Sequence, residues 1–288
     1  MPEIQRKYGW VRDLPDHRDY KLKLPRAEVL PPVVDLRSKC PPVFDQQSLG
    51  SCTSNAIANA HRFDQIKQGF DPNWAPSRLF IYYNERDIED TVDSDSGASI
   101  RDGIKSINQL GVCPESEWPY IESKFTNKPP ASCYTEALRF TSLLYQAVDQ
   151  DLVSLKTALN AGYPIVFGFS VYSSFEGPIV AATGIVPMPG KDEDCLGGHA
   201  VLCVGFSDAD STFLCMNSWG ILWGLPEAKG YFKIPYAYVT NPDLADDFWT
   251  VTEVKDAPGP APPPAKCSLG NWFRNLFFRA SAKKPSKS

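Results

Sequence analysis

Apolar residues in the first half of the chain follow a helical period that begins close to a cysteine. After Ser51, the apolar positions from Ala56 to Phe63 recur at helical spacing, and Gly69 follows as a stop signal. This pattern predicts a helix that has Cys52 in its first turn.

Two further helical patterns and a strand-rich second half complete the arrangement. Helical patterns cover about residues 100–110 and 152–160, and a glycine follows each of them. From residue 163 onward, short β-branched and aromatic runs are separated by turn residues. These runs cover residues 163–172, 199–206, 212–219, 230–234 and 248–254. Helices first and strands afterwards predict an α+β fold whose second half is an antiparallel sheet or barrel.

Composition is that of a soluble globular protein. Of the 288 residues, 43% are hydrophobic and 22% are charged, which excludes collagen-like, coiled-coil and wholly disordered chains. The sequence lacks the roughly 18 to 20 consecutive apolar residues that a membrane-spanning helix needs. Its start also lacks the apolar core of a secretory signal. We therefore expect a cytoplasmic or non-classically exported protein, unless a leader is absent from this sequence.

Charge divides the chain into an acidic body and a basic end. Residues 267–288 contain five basic residues and no acidic residue, which leaves the first 266 residues at a net charge of -10. Residues 257–266 contain five prolines and predict a semi-rigid linker. We therefore predict an N-terminal extension (1–35), a folded domain (36–256), this linker and a basic aromatic tail. A total charge of -5 argues against nucleic acid as a partner.

The eight cysteines do not have the spacing of a metal or dithiol site. The sequence contains no C-x-x-C pair, so zinc ribbons and thioredoxin-type sites lack their ligands. We expect no metal and no other cofactor. A reducing compartment fits the cysteine pattern best, and the pairing of the seven cysteines other than Cys52 stays open.

Among the three histidines, His199 has the setting best suited to catalysis. Histidine is the commonest general base near neutral pH. His199 stands at the entry to a strong strand, after Gly197 and Gly198, which allow close approach of another backbone. His61 falls inside the first predicted helix, where a packing or surface role is expected. His17 lies in a polar segment without a helix or strand pattern.

The start of the first predicted helix favours a reactive thiolate at Cys52. Unsatisfied N–H groups and the positive end of the helix dipole stabilise negative charge there. The alternative is a small apolar residue buried at a helix start. Gln46 lies six residues upstream and offers an amide donor that the intervening turn could return to the helix. With the backbone N–H of Cys52, that amide would form an oxyanion hole.

Three segments resemble the active-site segments of papain-family cysteine peptidases. DQQSLGSCTSNA is similar to the cysteine segment, GGHAVLCVGF to the histidine strand and NSWGILWG to the asparagine strand. They occur in the family's order and together span about residues 36–255. His199 lies 147 residues and Asn217 165 residues after Cys52, where papain-type chains have both roughly 130 to 150 residues after the cysteine. The compact bacterial branch of the family is the most similar.

The resemblance implies a cysteine endopeptidase with a two-lobed papain-like fold. A helical N-terminal lobe and an antiparallel C-terminal lobe would enclose the active cleft. Cys52 would be the nucleophile, His199 the general base and acid, and Asn217 the residue that orients His199. Gln46 would donate to the oxyanion. Protein or peptide substrates would be hydrolysed through a thioester acyl-enzyme.

The resemblance also assigns four further residues to the cleft: Gly97, Gly198, Trp219 and Trp223. Trp219 would cover the hydrogen bond between Asn217 and His199, although both tryptophans could equally be core aromatics. Gly97 is similar to the glycine that meets substrate as a short strand, and an ordinary loop glycine is the alternative. Thr53 departs from the family, because an aromatic residue usually follows the nucleophile.

Both ends of the chain leave alternatives open. The N-terminal extension could lie over the cleft and limit access to it, or it could be a strap that only adds stability. The basic aromatic tail could dock on a membrane or a protein partner, or it could be a disordered end. We expect a monomer.

Two other functions use the same residues. The site could transfer the acyl group to an amine instead of water, since transferases and peptidases can share this machinery. A catalytically silent module that binds peptides is the second alternative, and it would not need all four reacting groups.

Overall fold

The computed structural model of the chain describes residues 5–25, 29–70 and 74–254. The predicted linker (257–266) and the predicted basic aromatic tail (267–288) lie outside these residues.

Within the described residues, helices dominate the first half, and the three predicted helices are all present. The α-helices are α1 (Cys52–Lys67), α2 (Arg78–Ile88), α3 (Ile100–Gln109), α4 (Ala131–Ala137), α5 (Leu152–Asn160), α6 (Ser173–Glu176), α7 (Pro178–Thr183) and α8 (Tyr236–Val239). Helix α1 begins directly after Ser51 and ends before Gly69, whose φ of 86° is unfavourable for other residues.

Helix α2 is the main element that the sequence pattern did not predict. Its aromatic and β-branched residues resemble a strand locally. The Ser77 hydroxyl caps the helix by accepting a hydrogen bond from the backbone N–H of Phe80. Residues 78–86 are all buried, so both faces of this helix are packed and no amphipathic period marks it.

The second half forms an open antiparallel sheet, which confirms the predicted α+β class. Its strands are β1 (Val33–Asp35), β2 (Ser142–Ala147), β3 (Ile165–Tyr172), β4 (Cys195–Ser207), β5 (Thr212–Met216), β8 (Tyr231–Pro235) and β9 (Ala245–Val254); the short strands β6 (Gly224–Leu225) and β7 (Ala228–Lys229) form a separate hairpin. The strand order is β2-β9-β3-β4-β5-β8, and β1 pairs with β4 outside this path.

Helix α1 is the central helix between the helical part and the sheet. It contacts α2 and α3 on one side and β4 and β9 on the other, and residues 52–65 are all buried. His61 therefore has the packing role, and not the surface role, of the two that the sequence allowed. Its Nδ1 lies 2.9 Å from the hydroxyl oxygen of Ser142, and burial lowers its pKa to about 3.

A buried carboxyl group lies beneath the start of α1. The Thr53 hydroxyl donates a 2.7 Å hydrogen bond to Oε1 of Glu85, which is fully buried on α2. Burial raises the pKa of Glu85 well above its usual value, and the bond from Thr53 opposes that rise. The polar residue that replaces the expected aromatic at position 53 thus supplies the donor for this acid.

The Glu85→Gln variant is expected to lose part of the pH dependence of stability. A carboxyl whose folded-state pKa lies above its unfolded-state pKa stabilises the fold at low pH and loses that contribution as the pH rises. The free energy of unfolding should therefore fall less steeply above about pH 5, by up to about 1.4 kcal/mol per pH unit. Urea unfolding between about pH 5 and pH 8 measures the slope.

Glu253→Gln on β9 removes the same formal charge at an exposed position and is the matched control. An unchanged slope in Glu85→Gln would contradict a raised pKa at Glu85.

The remaining sequence expectations concern cysteines, metals and membrane spans. The seven cysteines of the described residues are free thiols. In that same part of the chain, no group of His, Cys, Asp or Glu side chains is arranged to hold a metal ion. No helix there has the length and apolar character needed to cross a bilayer.

Candidate active site

Cys52, His199 and Asn217 lie on three adjoining elements. Cys52 opens α1, which packs against β4, the strand that carries His199. Strand β5 runs antiparallel beside β4, and Asn217 directly follows its last residue. All three residues have 0% of their surface exposed. The separate segments found in the sequence thus converge at the N-terminus of one helix.

The contacts of Asn217 fix the tautomer of His199. Nε2 of His199 lies 2.8 Å from Oδ1 of Asn217, and the backbone N–H of Ser218 donates to the same oxygen at 2.8 Å. An amide oxygen accepts hydrogen bonds and does not donate them, so Nε2 must carry the proton. Nδ1 is left as the basic nitrogen, and it makes no hydrogen bond within the described residues.

Aromatic rings surround the His199 imidazole. The ring centroid of Trp219 lies 5.3 Å from that of His199, and Trp219 is only 5% exposed. Trp223 makes an edge contact with Trp219 at 5.3 Å. Phe169 packs against the imidazole at 5.8 Å. Because these rings exclude water, burial lowers the pKa of His199 to about 4, while the bond to Asn217 opposes the change.

The Gln46 amide is held in a fixed orientation beside Cys52. Its Oε1 accepts a 2.6 Å hydrogen bond from the hydroxyl of Ser218, and its backbone N–H donates to the Ser218 carbonyl at 2.8 Å. Nε2 donates to the carbonyl of Leu49 at 2.9 Å and to that of Lys7 at 3.2 Å. Sequence reasoning missed Ser218, although it lies between two residues of the asparagine segment. It couples Gln46 to that segment.

The N-terminal extension passes directly through this site. We call residues 5–13 the arm. The backbone N–H of Trp10 donates to the Gly198 carbonyl at 2.9 Å. The N–H of Ala98 donates to the Gly9 carbonyl at 2.8 Å, and the N–H of Val11 donates to the Ala98 carbonyl at 3.0 Å. The arm therefore pairs with both backbones that line the cleft.

Glycines allow the arm to approach the nucleophile this closely. A Cβ atom on Gly9 would lie 1.6 Å from the carbonyl oxygen of Gly50, and one on Gly97 would lie 2.1 Å from that of Gly9. Gly97 also has a φ of 72°, which favours glycine independently. Gly97 thus lies against the arm, and its contact with substrate stays a prediction.

Burial beneath the arm changes the protonation expected at Cys52. It raises the pKa of the thiol to about 11, while the backbone N–H groups of Ala200 and Gly9 oppose this rise. With His199 lowered to about 4, both groups are neutral at pH 7 in the arm-covered form. With the arm in place, burial therefore favours the neutral thiol over the thiolate that the sequence predicts at Cys52.

The structure places some of the candidate residues at the active site and others away from it. Gly198 lies against Trp10 of the arm, beside the residues already described. His17 and His61 are not part of this cluster. No local sequence signal marks the position of Trp10, because the contacts of the arm join residues far apart in the chain.

Comparisons with known proteins identify the family to which the chain belongs. The profile described as papain family cysteine protease matches residues 30–248. An uncharacterized peptidase C1-like protein of Acanthamoeba polyphaga mimivirus is 44% identical over 279 residues, which cover 88% of this chain and 89% of that protein. Xylellain, a cysteine protease from Xylella fastidiosa, is 43% identical, with 89% of this chain and 99% of that chain covered and a TM-score of 0.79.

A more distantly related structure is similar to this chain in its fold alone. Digestive procathepsin L 3 of Tenebrio molitor is 18% identical, covers 86% of this chain and 77% of its own, and gives a TM-score of 0.63. The expected likeness to the compact bacterial branch is confirmed by xylellain. The chain belongs to the papain family of cysteine proteases, peptidase family C1, and is a cysteine peptidase with the papain-like fold.

Proposed function

We propose that this chain is an endopeptidase in which Cys52 attacks the peptide carbonyl and His199 transfers the protons. The observation that carries the proposal is the convergence of the buried His199–Asn217 pair and the Gln46 amide on the first residue of α1. Each of these three groups supplies a part that thiol catalysis needs: a base, a residue that orients it and an oxyanion donor.

The reaction proceeds in two halves. The Cys52 thiol passes its proton to Nδ1 of His199, and its sulfur forms a bond to the carbonyl carbon. The displaced electron pair moves to the oxygen, which accepts hydrogen bonds from Nε2 of Gln46 and the N–H of Cys52. The carbon–nitrogen bond breaks as Nδ1–H of His199 protonates the leaving amine. His199 then deprotonates a water molecule that attacks the thioester, and the carbon–sulfur bond breaks to release a carboxylate.

We infer that the arm inhibits this reaction. Two contacts of the arm support a latent form. The Lys7 carbonyl accepts a hydrogen bond from the Gln46 amide that the oxyanion would need, and Gly9 lies between the backbones of Gly50 and Gly97, where substrate would bind. Withdrawal of the arm would rehydrate the site and remove Arg6, whose charge also lowers the pKa of His199. A thiolate and an imidazolium could then form, since both pKa shifts come mainly from burial.

The Gln46→Ala variant tests the proposed oxyanion donor. A Gly9→Ala background keeps the arm from docking, because the added Cβ collides with Gly50. In that background, Gln46→Ala should lower kcat for a short peptide amide by about a hundredfold, with a smaller change in KM. Mass spectrometry of the product should show a free carboxylate, also when an amine acceptor is present.

Gln146→Ala is the matched control, because Gln146 also donates its amide to a carbonyl of the N-terminal extension, that of Lys21, outside the arm. Its kcat should stay within about twofold of the background. Thermal unfolding checks that each variant is folded. An unchanged kcat in folded Gln46→Ala would contradict the oxyanion role, and a product joined to the amine would favour acyl transfer.

A further inference from the structure

Two side chains connect the segment that carries Gln46 to the segment that carries Cys52. Arg78 is the first residue of helix α2 and is 7% exposed. Tyr120 lies between α3 and α4 along the chain, and its hydroxyl group is partly buried. Neither residue belongs to the three sequence segments that carry the reacting groups. Each of them nevertheless makes hydrogen bonds to both sides of the proposed oxyanion hole.

The Arg78 guanidinium joins the residue before Gln46 to helix α1. Its Nη1 donates to the backbone carbonyl of Asp45 at 3.0 Å and to Oδ1 of Asn55 at 3.2 Å. Asp45 directly precedes Gln46, and Asn55 lies on α1 three residues after Cys52. One nitrogen of a charged group therefore restrains the Gln46 segment relative to the start of the helix.

The Tyr120 hydroxyl makes a second connection of the same kind. It donates to the backbone carbonyl of Gln46 at 2.7 Å, since a carbonyl oxygen can only accept. Its own proton is thereby used, so the hydroxyl of Ser51, 2.6 Å away, donates to Tyr120. Ser51 directly precedes Cys52, and its hydroxyl oxygen accepts in turn from the Asn55 amide at 3.2 Å. These hydrogen bonds run in one direction from α1 to the Gln46 backbone.

Other contacts hold the Arg78 guanidinium in one orientation. Its Nε and Nη2 donate to the two carboxylate oxygens of Glu115 at 2.9 Å and 2.5 Å, which is the bidentate geometry of an arginine–carboxylate pair. The guanidinium carbon lies 4.3 Å from the ring centroid of Phe44 and 4.1 Å from that of Tyr120. The ion pair and the two rings compensate for burial of the charge. Arg78 and Tyr120 thus support each other.

These contacts determine where the two oxyanion donors stand. Donors stabilise an oxyanion fully only when they lie about 2.7 to 3.1 Å from the position that the charged oxygen will occupy. The donors proposed above are Nε2 of Gln46 and the backbone N–H of Cys52. Arg78 and Tyr120 restrain the chain before and after both of them. All of the residues involved lie outside the arm, so the restraint does not depend on whether the arm covers the cleft.

We propose that Arg78 and Tyr120 are positioning residues that set the geometry of the oxyanion hole. This inference rests on the proposed peptidase function. Loss of either contact lets the Gln46 segment shift relative to α1, so that the two donors no longer converge on one oxygen. The base is spared, because His199 is oriented by Asn217 and not by Gln46. The cost therefore falls on the step in which the oxyanion forms.

Tyr120→Phe in the Gly9→Ala background tests the proposal with the smallest change. It removes only the hydroxyl group and retains the ring against which Arg78 packs. kcat for a short peptide amide should fall about tenfold, which is less than the loss of about a hundredfold expected for Gln46→Ala. KM should stay within about twofold, because the donors act mainly in the transition state.

Tyr134→Phe is the matched control for this change. It removes a tyrosine hydroxyl that donates to the side-chain oxygen of Asn84 at 2.9 Å, elsewhere on α2. Its kcat should stay within about twofold of the background. Arg78→Lys is the second variant, since lysine keeps the charge but lacks the planar group that reaches Asp45 and Glu115 together. It should also lower kcat about tenfold, and thermal unfolding checks that each variant is folded.

Two readouts separate positioning from a general loss of structure. Tyr120→Phe should change kcat by less than about twofold in a chain that already carries Gln46→Ala, because the donor that it positions is gone. Alkylation of Cys52 by iodoacetamide displaces iodide and forms no oxyanion. Its rate in Tyr120→Phe should therefore stay within about twofold of the background, whereas a disturbed helix start would slow alkylation together with peptide cleavage.

The outcomes separate the two proposals. The positioning role would be overturned if folded Tyr120→Phe and Arg78→Lys keep the kcat of the background, if the tenfold loss persists in Gln46→Ala, or if Cys52 alkylation slows with cleavage. Each of these results leaves the peptidase activity established. If the Gly9→Ala variant cleaves no peptide although it is folded, the proposed function fails, and this inference fails with it.

Discussion

Replacement of Cys52 by alanine in the Gly9→Ala background is expected to lower kcat/KM for a short peptide amide by at least about a thousandfold. Alanine removes the atom that would form the thioester, while Gln46, His199 and Asn217 keep their positions. No second nucleophile replaces it in the proposed reaction. The expected loss is in kcat, because the cleft that binds the substrate is unchanged. Steady-state kinetics with a fluorogenic amide measures it.

A second buried thiol provides the control for this change. Cys133 on α4 is 1% exposed, and alanine there removes a sulfur atom of similar burial away from the proposed site. Activity in Cys133→Ala should stay within about twofold, provided that thermal unfolding shows a folded protein. Cleavage that survives in Cys52→Ala would reject Cys52 as the nucleophile.

The Gly9→Ala substitution alone is expected to raise kcat/KM by roughly ten- to a hundredfold over the parent chain. A Cβ placed 1.6 Å from the Gly50 carbonyl oxygen forces the arm away, since the colliding atoms belong to the backbone of Gly50. Overpacking of this kind costs about 1 to 3 kcal/mol, and each 1.4 kcal/mol changes the population of open molecules about tenfold.

Two comparisons separate release of the arm from a general effect of the substitution. Gly190→Ala adds the same methyl group where the nearest atom, on the Glu193 side chain, would lie 3.8 Å away, so activity should not change. Deletion of residues 1–11 should reproduce the increase seen with Gly9→Ala. If both arm variants are folded and turn over at the parent rate, the arm is a stabilising strap and not an inhibitor.

The sequence predicted the parts of the fold that carry a regular period. Helix α1 was found because a stop glycine and spaced apolar residues mark it, and β4 was found because its run of apolar residues is long. Helix α2 was not predicted because residues on all of its faces are buried. It therefore lacks the alternation of apolar and polar positions by which a helix is identified in a sequence. Strand β2 was not predicted because it is defined by antiparallel pairing with β9, which is distant in the sequence.

The sequence predicted which residues form the candidate site, but it did not predict their contacts with the arm or their protonation. Gln46, Cys52, His199 and Asn217 were named from local motifs, and the structure brings them together. The contacts of Trp10 and Gly9 were not predictable, since they join the arm to residues up to 237 positions away. Protonation at Cys52 depends on those same contacts, so the sequence predicted a thiolate while leaving open whether the extension covers the cleft.

Alkylation of individual cysteines at neutral pH tests the central claim most directly. The parent and Gly9→Ala proteins would be treated with iodoacetamide and each cysteine quantified by peptide mass spectrometry over time. Cys195 serves as the internal reference, because it is already exposed with the arm in place. The account predicts that Cys52 reacts at least about tenfold faster, relative to Cys195, once the arm is displaced. Equal relative rates at Cys52 in the two folded proteins would contradict it.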